Sequence, residues 1–371
     1  MGKAYCYSPF LNFLAMKTIK LILRWVLILA ALAGLYVGGM IAYAMITDYQ
    51  PDPTEELTPL GDAQNELAGD TLTLITWNIG FGAQGAATDF FYDGGKTVRM
   101  PQETVEGYWQ GISQAFNEWA GDVDMMLLQE VDRDSRRSYH QDQVKALADL
   151  LPGYSGAFAP NYDVKFIPIP FLNPMGKVYG GLCTWSRIQP LETVRHSFEG
   201  NYSWPTHLFF LDRCFLVQRF ELDSSDAQLV VINTHNSAYD DGSLKARQME
   251  QLATVLEAEY AQGNYVIVGG DWNQFFPGFE GIAGFRTDTM PDRYFVPEDY
   301  PSPGWQWTYD PSVATNRDLA APYDAATTRR GIIDYFLLSP NVEALSVAGI
   351  DQDFALSDHQ PVRVRVRLKR E

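Results

Sequence analysis

A run of apolar, mostly β-branched residues from Tyr265 to Val268 is followed by Gly269, Gly270, Asp271, Trp272 and Asn273. Such a run has the composition of a buried strand. The two glycines end it where the backbone must turn tightly or approach another group closely. A carboxylate and a carboxamide then sit just past a rigid strand, a mount that holds a site accurately. Taken alone, GDWN reads as an Asx-type turn. The pattern recurs, however, and recurrence is what constrains the fold. LTLITWN ends at Asn78, DMMLLQE at Glu130, and LVVINTHN at His235 and Asn236. GIIDYFLLS carries Asp334, and SDHQPV carries Asp358 and His359 ahead of the strand VRVRVRL. Burying one such group unpaired costs about 2 kcal/mol or more. A shared polar centre satisfies them all, so these strand ends must converge.

In chain order the motifs read WNIG, LLQEVD, NTH, GDWN, IDYFLLS and SDHQPV. Together, over roughly Leu72 to Leu368, they resemble the endonuclease/exonuclease/phosphatase superfamily of deoxyribonuclease I-like phosphoesterases. The resemblance implies an α/β fold, a four-layer sandwich of two packed mixed β-sheets flanked by helices. The strand–helix alternation along the chain agrees with it.

The 371-residue chain has a formal charge of −18. Residues 1–46 hold four bases (Lys3, Lys17, Lys20, Arg24) and no acid, which leaves 24 bases against 46 acids, a net of −22, on the rest. So acidic a surface lacks the basic footprint of a non-specific duplex binder. Three cysteines do not make a disulfide framework. Cys183 and Cys214 could pair outside the cytosol, but two buried thiols are the favoured reading.

Trp25 to Ile46 is a 22-residue stretch without a charge. As a helix it reaches about 33 Å, enough to span a bilayer. Bases precede it, and Asp48, Asp52, Glu55 and Glu56 follow it. The positive-inside rule then places the remainder outside the cytoplasm, on a single-pass anchor in the cell membrane. The expected organisation is a cytoplasmic N-terminus over 1–20, a transmembrane helix over 21–46, a linker over 47–70 and a catalytic domain over 71–371. Met1 and Met16 are both candidate starts.

Three helices are expected to cover the sheets: Glu103 to Ala120 with a stripe of Val105, Trp109, Ile112, Phe116 and Trp119, then about Gln141 to Leu151, and Leu244 to Tyr260 with Met249, Leu252, Leu256 and Tyr260. GFGAQGAA after Asn78 fits neither phosphate-binding glycine fingerprint and reads as a plain loop. Past Glu130 lie Arg133, Arg136 and Arg137. These either hold a substrate phosphate, with Arg133 and Arg136 the candidates, or are solvated surface. Two aromatic- and proline-rich stretches, FIPIPFLNPMG and FEGNYSWPTHLFF, read as a lip around the site, a lipid-touching surface or packing under long loops.

Attack on a phosphoester requires charge on phosphoryl oxygens to be neutralised and a water to be deprotonated in line. A hard divalent ion, Mg²⁺ with Mn²⁺ as a substitute, does the first through oxygen ligands. Glu130 is the expected carboxylate ligand, with Asn78 beside it and Asp358 completing the shell. Cysteine is absent from every motif, against a closed zinc site. Asp271 is placed to orient or deprotonate water, and Asn273 to donate to a phosphate oxygen. Asp334 and His359 form an acid–imidazole dyad. By the resemblance it either activates water or stabilises the transition state, and His235 is a phosphate ligand or a proton donor to the leaving group. The roles of Asn236, counted with the substrate-phosphate candidates, and of Tyr239 stay open. The expected function is membrane-anchored, metal-dependent hydrolysis of a phosphoester of unspecified class, with the bilayer as the other partner. A nuclease is the second reading, disfavoured by the acidic surface, and a catalytically silent binding module the third.

Overall fold

The computed structural model describes residues 9–63, 67, 69–223, 226–238, 240–282, 285–286, 290–291 and 294–370. Contacts divide the chain into two units, one ending at Asp48 and the other beginning at Tyr49. The first is a helix, α1 (Pro9–Thr47). From Met16 to Thr47 it is long and apolar enough to cross a membrane.

The strands of the two large sheets of the second unit are β1 (Thr54–Glu56), β2 (Thr71–Asn78), β3 (Met125–Asp132), β4 (Ser155–Ile167), β5 (Gly176–Ser186) and β6 (Glu192–Ser197). They continue as β7 (Cys214–Phe220), β8 (Leu229–His235), β9 (Tyr265–Asp271), β10 (Gln306–Thr308), β11 (Asp334–Leu338), β12 (Val342–Gly349) and β13 (Val362–Leu368). One sheet runs β1-β6-β7-β8-β9-β11-β10, the other β12-β13-β2-β3-β5-β4. The β8–β9 and β2–β3 pairs are parallel and the remaining neighbours antiparallel, so both sheets are mixed.

The sheets pack face to face. Leu74, Leu127 and Val364 of one meet Val231, Ile267 and Phe336 of the other in a single apolar core. Helices cover the outer faces: α2 (Gln102–Trp119) and α3 (Gln143–Leu150) on one side, α4 (Ser243–Ala261) on the other. Every residue of the expected α2 stripe is buried. On α4, Met249, Leu252 and Leu256 are buried, while Tyr260 stays partly exposed with its ring edge against Trp305. Cys183 and Cys214 are free, buried thiols.

One expectation needs correction. The stretch read as a linker over 47–70 is knitted into the second unit. Thr54–Glu56 forms an edge strand against β6, Leu60 bridges Gly156, and Leu67 joins the inter-sheet core. Three residues of strand carry almost no periodicity, which is why composition read them as spacer.

β9 runs between β8 and β11, and its glycines answer to close approach. A Cβ on Gly270 would lie 2.0 Å from the Thr234 carbonyl oxygen of β8, and one on Gly269 2.5 Å from the Phe336 ring. Gly270→Ala should therefore destabilise the protein by about 1–3 kcal/mol, the usual scale of overpacking. Chemical denaturation of the wild type and the variant checks this; coincident curves would mean that the strand is not packed this tightly.

Candidate active site

Glu130 of β3, His235 of β8 and Asp271 of β9 line one cavity of about 540 Å³ with Asn273, Asp358 and His359. Asn78 of β2 and Asp334 of β11 stand behind that lining and bond to it. In register across three strands, Asp271 lies between His235 and Asp334. From the other sheet, Asn78 at the end of β2 donates its Nδ2 to Glu130 Oε1 (3.1 Å) and to Asp271 Oδ2 (3.1 Å). Its Oδ1 accepts the Gly80 N–H at 3.0 Å, which fixes the amide.

Two site residues stand in the left-handed backbone region without being glycine. Glu130 has φ +54°, at a β-bulge between Leu128 and Val131 that breaks the β3–β5 ladder. Asn273 has φ +51°. Each such residue costs on the order of 1–3 kcal/mol, which the surrounding structure must hold in place. Bulges re-aim side chains, and this one carries Glu130 into the cavity. The Asx turn expected of GDWN also forms, because Asp271 Oδ1 accepts the Asn273 N–H at 2.9 Å. The function of Asn273 is therefore added to its turn chemistry.

The two histidines differ in charge. His359 Nδ1 lies 2.8 Å from Asp334 Oδ2, and His359 Nε2 lies 3.7 Å from Asp271 Oδ2 and 3.8 Å from Asp358 Oδ2. Burial pushes this imidazole toward neutrality, but Asp334, Asp271 and Asp358 outweigh burial and hold it protonated well above the usual range. His235 Nε2 is 3.3 Å from Asp271 Oδ2. Burial, then the charges of Arg213 and His359, keep it neutral well below that range. The carboxyl of Asp334 is raised to about 6, chiefly by burial and also by Asp271. That of Asp358 is raised to about 7 by burial and by the negative charge of Glu130, against the lowering effect of His359.

These residues fit a divalent cation. Glu130 and Asp358 are hard oxygen donors at one cavity, the ligand type a hard divalent ion takes. Asp271, Asp334 and His359 also bring one ligand atom each within 4.8 Å of one another. In that group His359 Nδ1 is tied to Asp334 Oδ2 at 2.8 Å, so the three already form a hydrogen-bonded array.

Other expected residues lie elsewhere. Arg133 turns to Asp142 at 3.4 Å and stacks over Phe158, and Arg136 donates to Pro174 O (2.6 Å) and Asn173 Oδ1 (3.3 Å). Neither lines the cavity, and both are dropped as phosphate ligands. Arg137 of the same run does line it, gripped by Asp132 at 2.9 and 3.1 Å and stacked 3.8 Å over Phe81. Asn236 is buried off the cavity; its Oδ1 accepts from Thr234 Oγ1 and its backbone oxygen from Asn273 Nδ2. It therefore positions Asn273. Tyr239 lies outside the described residues. The cavity also takes Arg213, Lys245, Arg317, Arg329 and Arg330, none of which stands in a strand-end motif. The basic run Arg329–Arg330, just before the Asp334 strand, was the one local signal available.

A family model, the Endonuclease/Exonuclease/phosphatase family, matches residues 75–359. The chain belongs to this family. Its members are phosphoester hydrolases, typically dependent on divalent metals. Solved structures share the fold. One is an endonuclease/exonuclease/phosphatase from Beutenbergia cavernae DSM 12333, at 21% identity and a TM-score of 0.52, covering 81% of this chain and 72% of that one. Another is ANGEL2, a 2′,3′-cyclic phosphatase, in complex with adenosine-2′,3′-vanadate, at 15% identity and 0.53, covering 85% and 99%. The human Nocturnin catalytic domain with bound sulfate matches at 15% and 0.51, covering 84% and 97%. Comparison with curated protein sequences gave no match.

The charge asymmetry of the two histidines is open to direct measurement. Ring-nitrogen NMR of the metal-free protein at pH 7 should show His359 as imidazolium and His235 as a neutral ring. His359 loses its proton only as pH rises well past the ordinary value of 6.5, and His235 gains one only well below it. Two rings titrating together near 6.5 would contradict the electrostatics of the site.

Proposed function

We propose that this chain is a divalent-metal-dependent phosphoester hydrolase anchored in a membrane by α1, with its catalytic unit outside the cytoplasm. The observation that carries the hydrolase reading is the meeting of Glu130, Asp271, Asn273, Asp358, His235 and His359 in the lining of one cavity, backed by Asn78 and the buried Asp334. An inert fold would have no reason to bury this many carboxylates around one protonated imidazole.

Glu130 and Asp358, with Asn78 alongside, would hold Mg²⁺ or Mn²⁺. Bound there, the ion supplies neutralising charge to phosphoryl oxygens and acidifies water. Asp271, fixed by Asn78 and the Asn273 backbone, orients the attacking water and takes its proton. The protonated His359, steadied by Asp334, donates toward the phosphoryl oxygens where negative charge develops. Asn273 is held with its amide against the Asn236 carbonyl at the cavity edge and contributes a further polar contact. Neutral His235 stands next to Asp271 and serves as a hydrogen-bonding phosphate ligand, so the leaving oxygen takes its proton from water.

The deciding experiment is hydrolysis by the full-length, detergent-solubilised chain with Mg²⁺ or Mn²⁺, across phospholipid, inositol phosphate, cyclic and linear nucleotide and nucleic acid panels. Turnover that chelator abolishes and metal restores is expected, with Glu130→Gln weakening metal binding in isothermal titration. His359→Ala and Asp334→Asn should each lower the rate by about 10²–10⁴, and the double variant should fall scarcely further, as for residues acting as one unit. A chain inert on every panel, with metal bound, would leave only the binding-module reading.

The topology rests on the bases that precede the uncharged run and the acids that follow it. Protease added to spheroplasts should remove the catalytic unit. Digestion only after lysis would reverse the orientation.

A further inference from the structure

Part of the cavity lining takes no part in the chemistry above. Tyr92, Asn161 of β4 and Arg213 just before β7 all line the cavity. Among the described residues, Tyr92 Oη, Asn161 Nδ2 and Arg213 Nη1 are buried and have no hydrogen-bond partner. They are neighbours rather than scattered defects. The buried phenol of Tyr162, whose hydroxyl donates to Phe209 O at 3.1 Å, lies within the electrostatic influence of Tyr92, Arg137 and Arg213 together. Arg213 also reaches toward the reacting end, since its charge is one of the causes that keep His235 neutral.

All three unpartnered groups are donors: an amide N–H, a guanidinium N–H and a phenol. Burial pushes the Tyr92 phenol up to about 12, so it keeps its proton under any physiological condition. Leaving a single buried donor unsatisfied is costly, and three around one space call for a group that brings acceptors. Arg137 adds positive charge beside them, although its own hydrogen bonds go to Asp132. The ring of Tyr92 packs 5.8 Å from that of Phe210, so the same wall is in part apolar.

We propose that Tyr92, Asn161 and Arg213 bind a second anionic, oxygen-rich group on the same substrate molecule, so that preferred substrates carry two anionic groups, the phosphoester to be cut and another phosphate or carboxylate. This rests on the phosphoester reading of the site and narrows it. A neutral or hydroxyl-rich leaving group would leave the guanidinium without a counter-charge in a buried place. An anion accepts from all three donors at once through charge-assisted hydrogen bonds.

Phosphonates, which bind as phosphoester mimics but are not cut, test this separately from turnover. The full-length chain in detergent with Mg²⁺ is titrated calorimetrically with phenylphosphonate, 4-phosphonobenzoate and 1,4-phenylenediphosphonate. At least one doubly anionic probe should bind about tenfold or more tightly than phenylphosphonate, and the two arms tell whether carboxylate or phosphonate is preferred. Tyr92→Phe and Asn161→Asp, both near-isosteric, should each remove most of that gain while changing phenylphosphonate affinity by less than about threefold. Melting curves confirm that both variants fold. Equal affinity for all three probes, or variants that weaken all three alike, would overturn the proposal. A chain that shows the gain yet cuts no ester would sink the hydrolase reading alone; one that cuts esters without the gain would sink this subsite alone.

Discussion

Four carboxylates gathered at and just behind one cavity are the constraint on which the rest of this structure depends. Glu130, Asp271, Asp334 and Asp358 come from separate strand ends, and each would repel the others. What makes the grouping tolerable is what stands between them. The Asn78 amide donates at once to Glu130 and Asp271, across the two sheets, and the His359 imidazolium faces Asp334, Asp271 and Asp358. Burial first, and then the neighbouring anions Glu130 and Asp271, push the carboxyls of Asp358 and Asp334 up. A divalent cation at Glu130 and Asp358, as proposed, would offset the mutual repulsion of these carboxylates.

Convergence at that point requires the two sheets to stay in a fixed relation, and apolar packing alone would let them slide. Beneath the site a buried polar bridge fixes them. Gln129 of β3 donates to Asn233 Oδ1 of β8 at 2.7 Å, and Asn233 donates onward to Leu128 O, Cys183 O and Thr184 Oγ1. Both amides are almost wholly excluded from solvent, so a slip of one residue would strand them without partners. Gln129 and Glu130 are adjacent, and the bulge lets one face the inter-sheet bridge while the other faces the cavity. Regular alternation would already turn Glu130 to the face opposite Gln129, toward the helices. The bulge with its positive φ goes with re-aiming Glu130 to the cavity instead.

The strand ends and the helix stripes were legible in the sequence because their signals are local. A buried strand that finishes in an acid or amide announces itself within eight residues, and Asn78, Glu130, Asp271, Asp334 and His359 meet where the motifs imply. The arginines were not legible. Arg133, Arg136 and Arg137 follow the same strand within five residues, yet only Arg137 enters the cavity, because the turn at Arg136–Ser138 and the Asp132 carboxylate decide which way each long side chain points. Arg213 and Arg317 carry no pattern at all. Arg317 is buried among the backbone oxygens of Gln84, Gly85 and Thr88, more than two hundred residues away in sequence, and only the assembled fold creates that environment. The strand at Thr54–Glu56 escaped for a similar reason: three polar residues become a strand because β6 offers an unpaired edge.

The distribution of charge bears on the class of substrate. Outside residues 1–46 the chain carries a net −22, yet Arg137, Arg213, Lys245, Arg317, Arg329 and Arg330 all line the single cavity that holds the catalytic groups. A protein that tracks nucleic acid spreads its bases along a surface, so that many phosphates are contacted at once and affinity falls steeply with salt. Here six of the 24 bases outside residues 1–46 line one cavity, alongside its carboxylates, in a chain that is acidic as a whole. Long-range attraction to a polyanion is weak under those conditions, while short-range attraction to a small anion that enters the cavity is strong, and screening by salt affects it less than it would an exposed contact. A compact phosphoester would gain the cationic part of the lining without the repulsion of the exterior, whereas a long duplex would meet the exterior first, which is the physical reason for proposing a small phosphoester substrate rather than a nucleic acid.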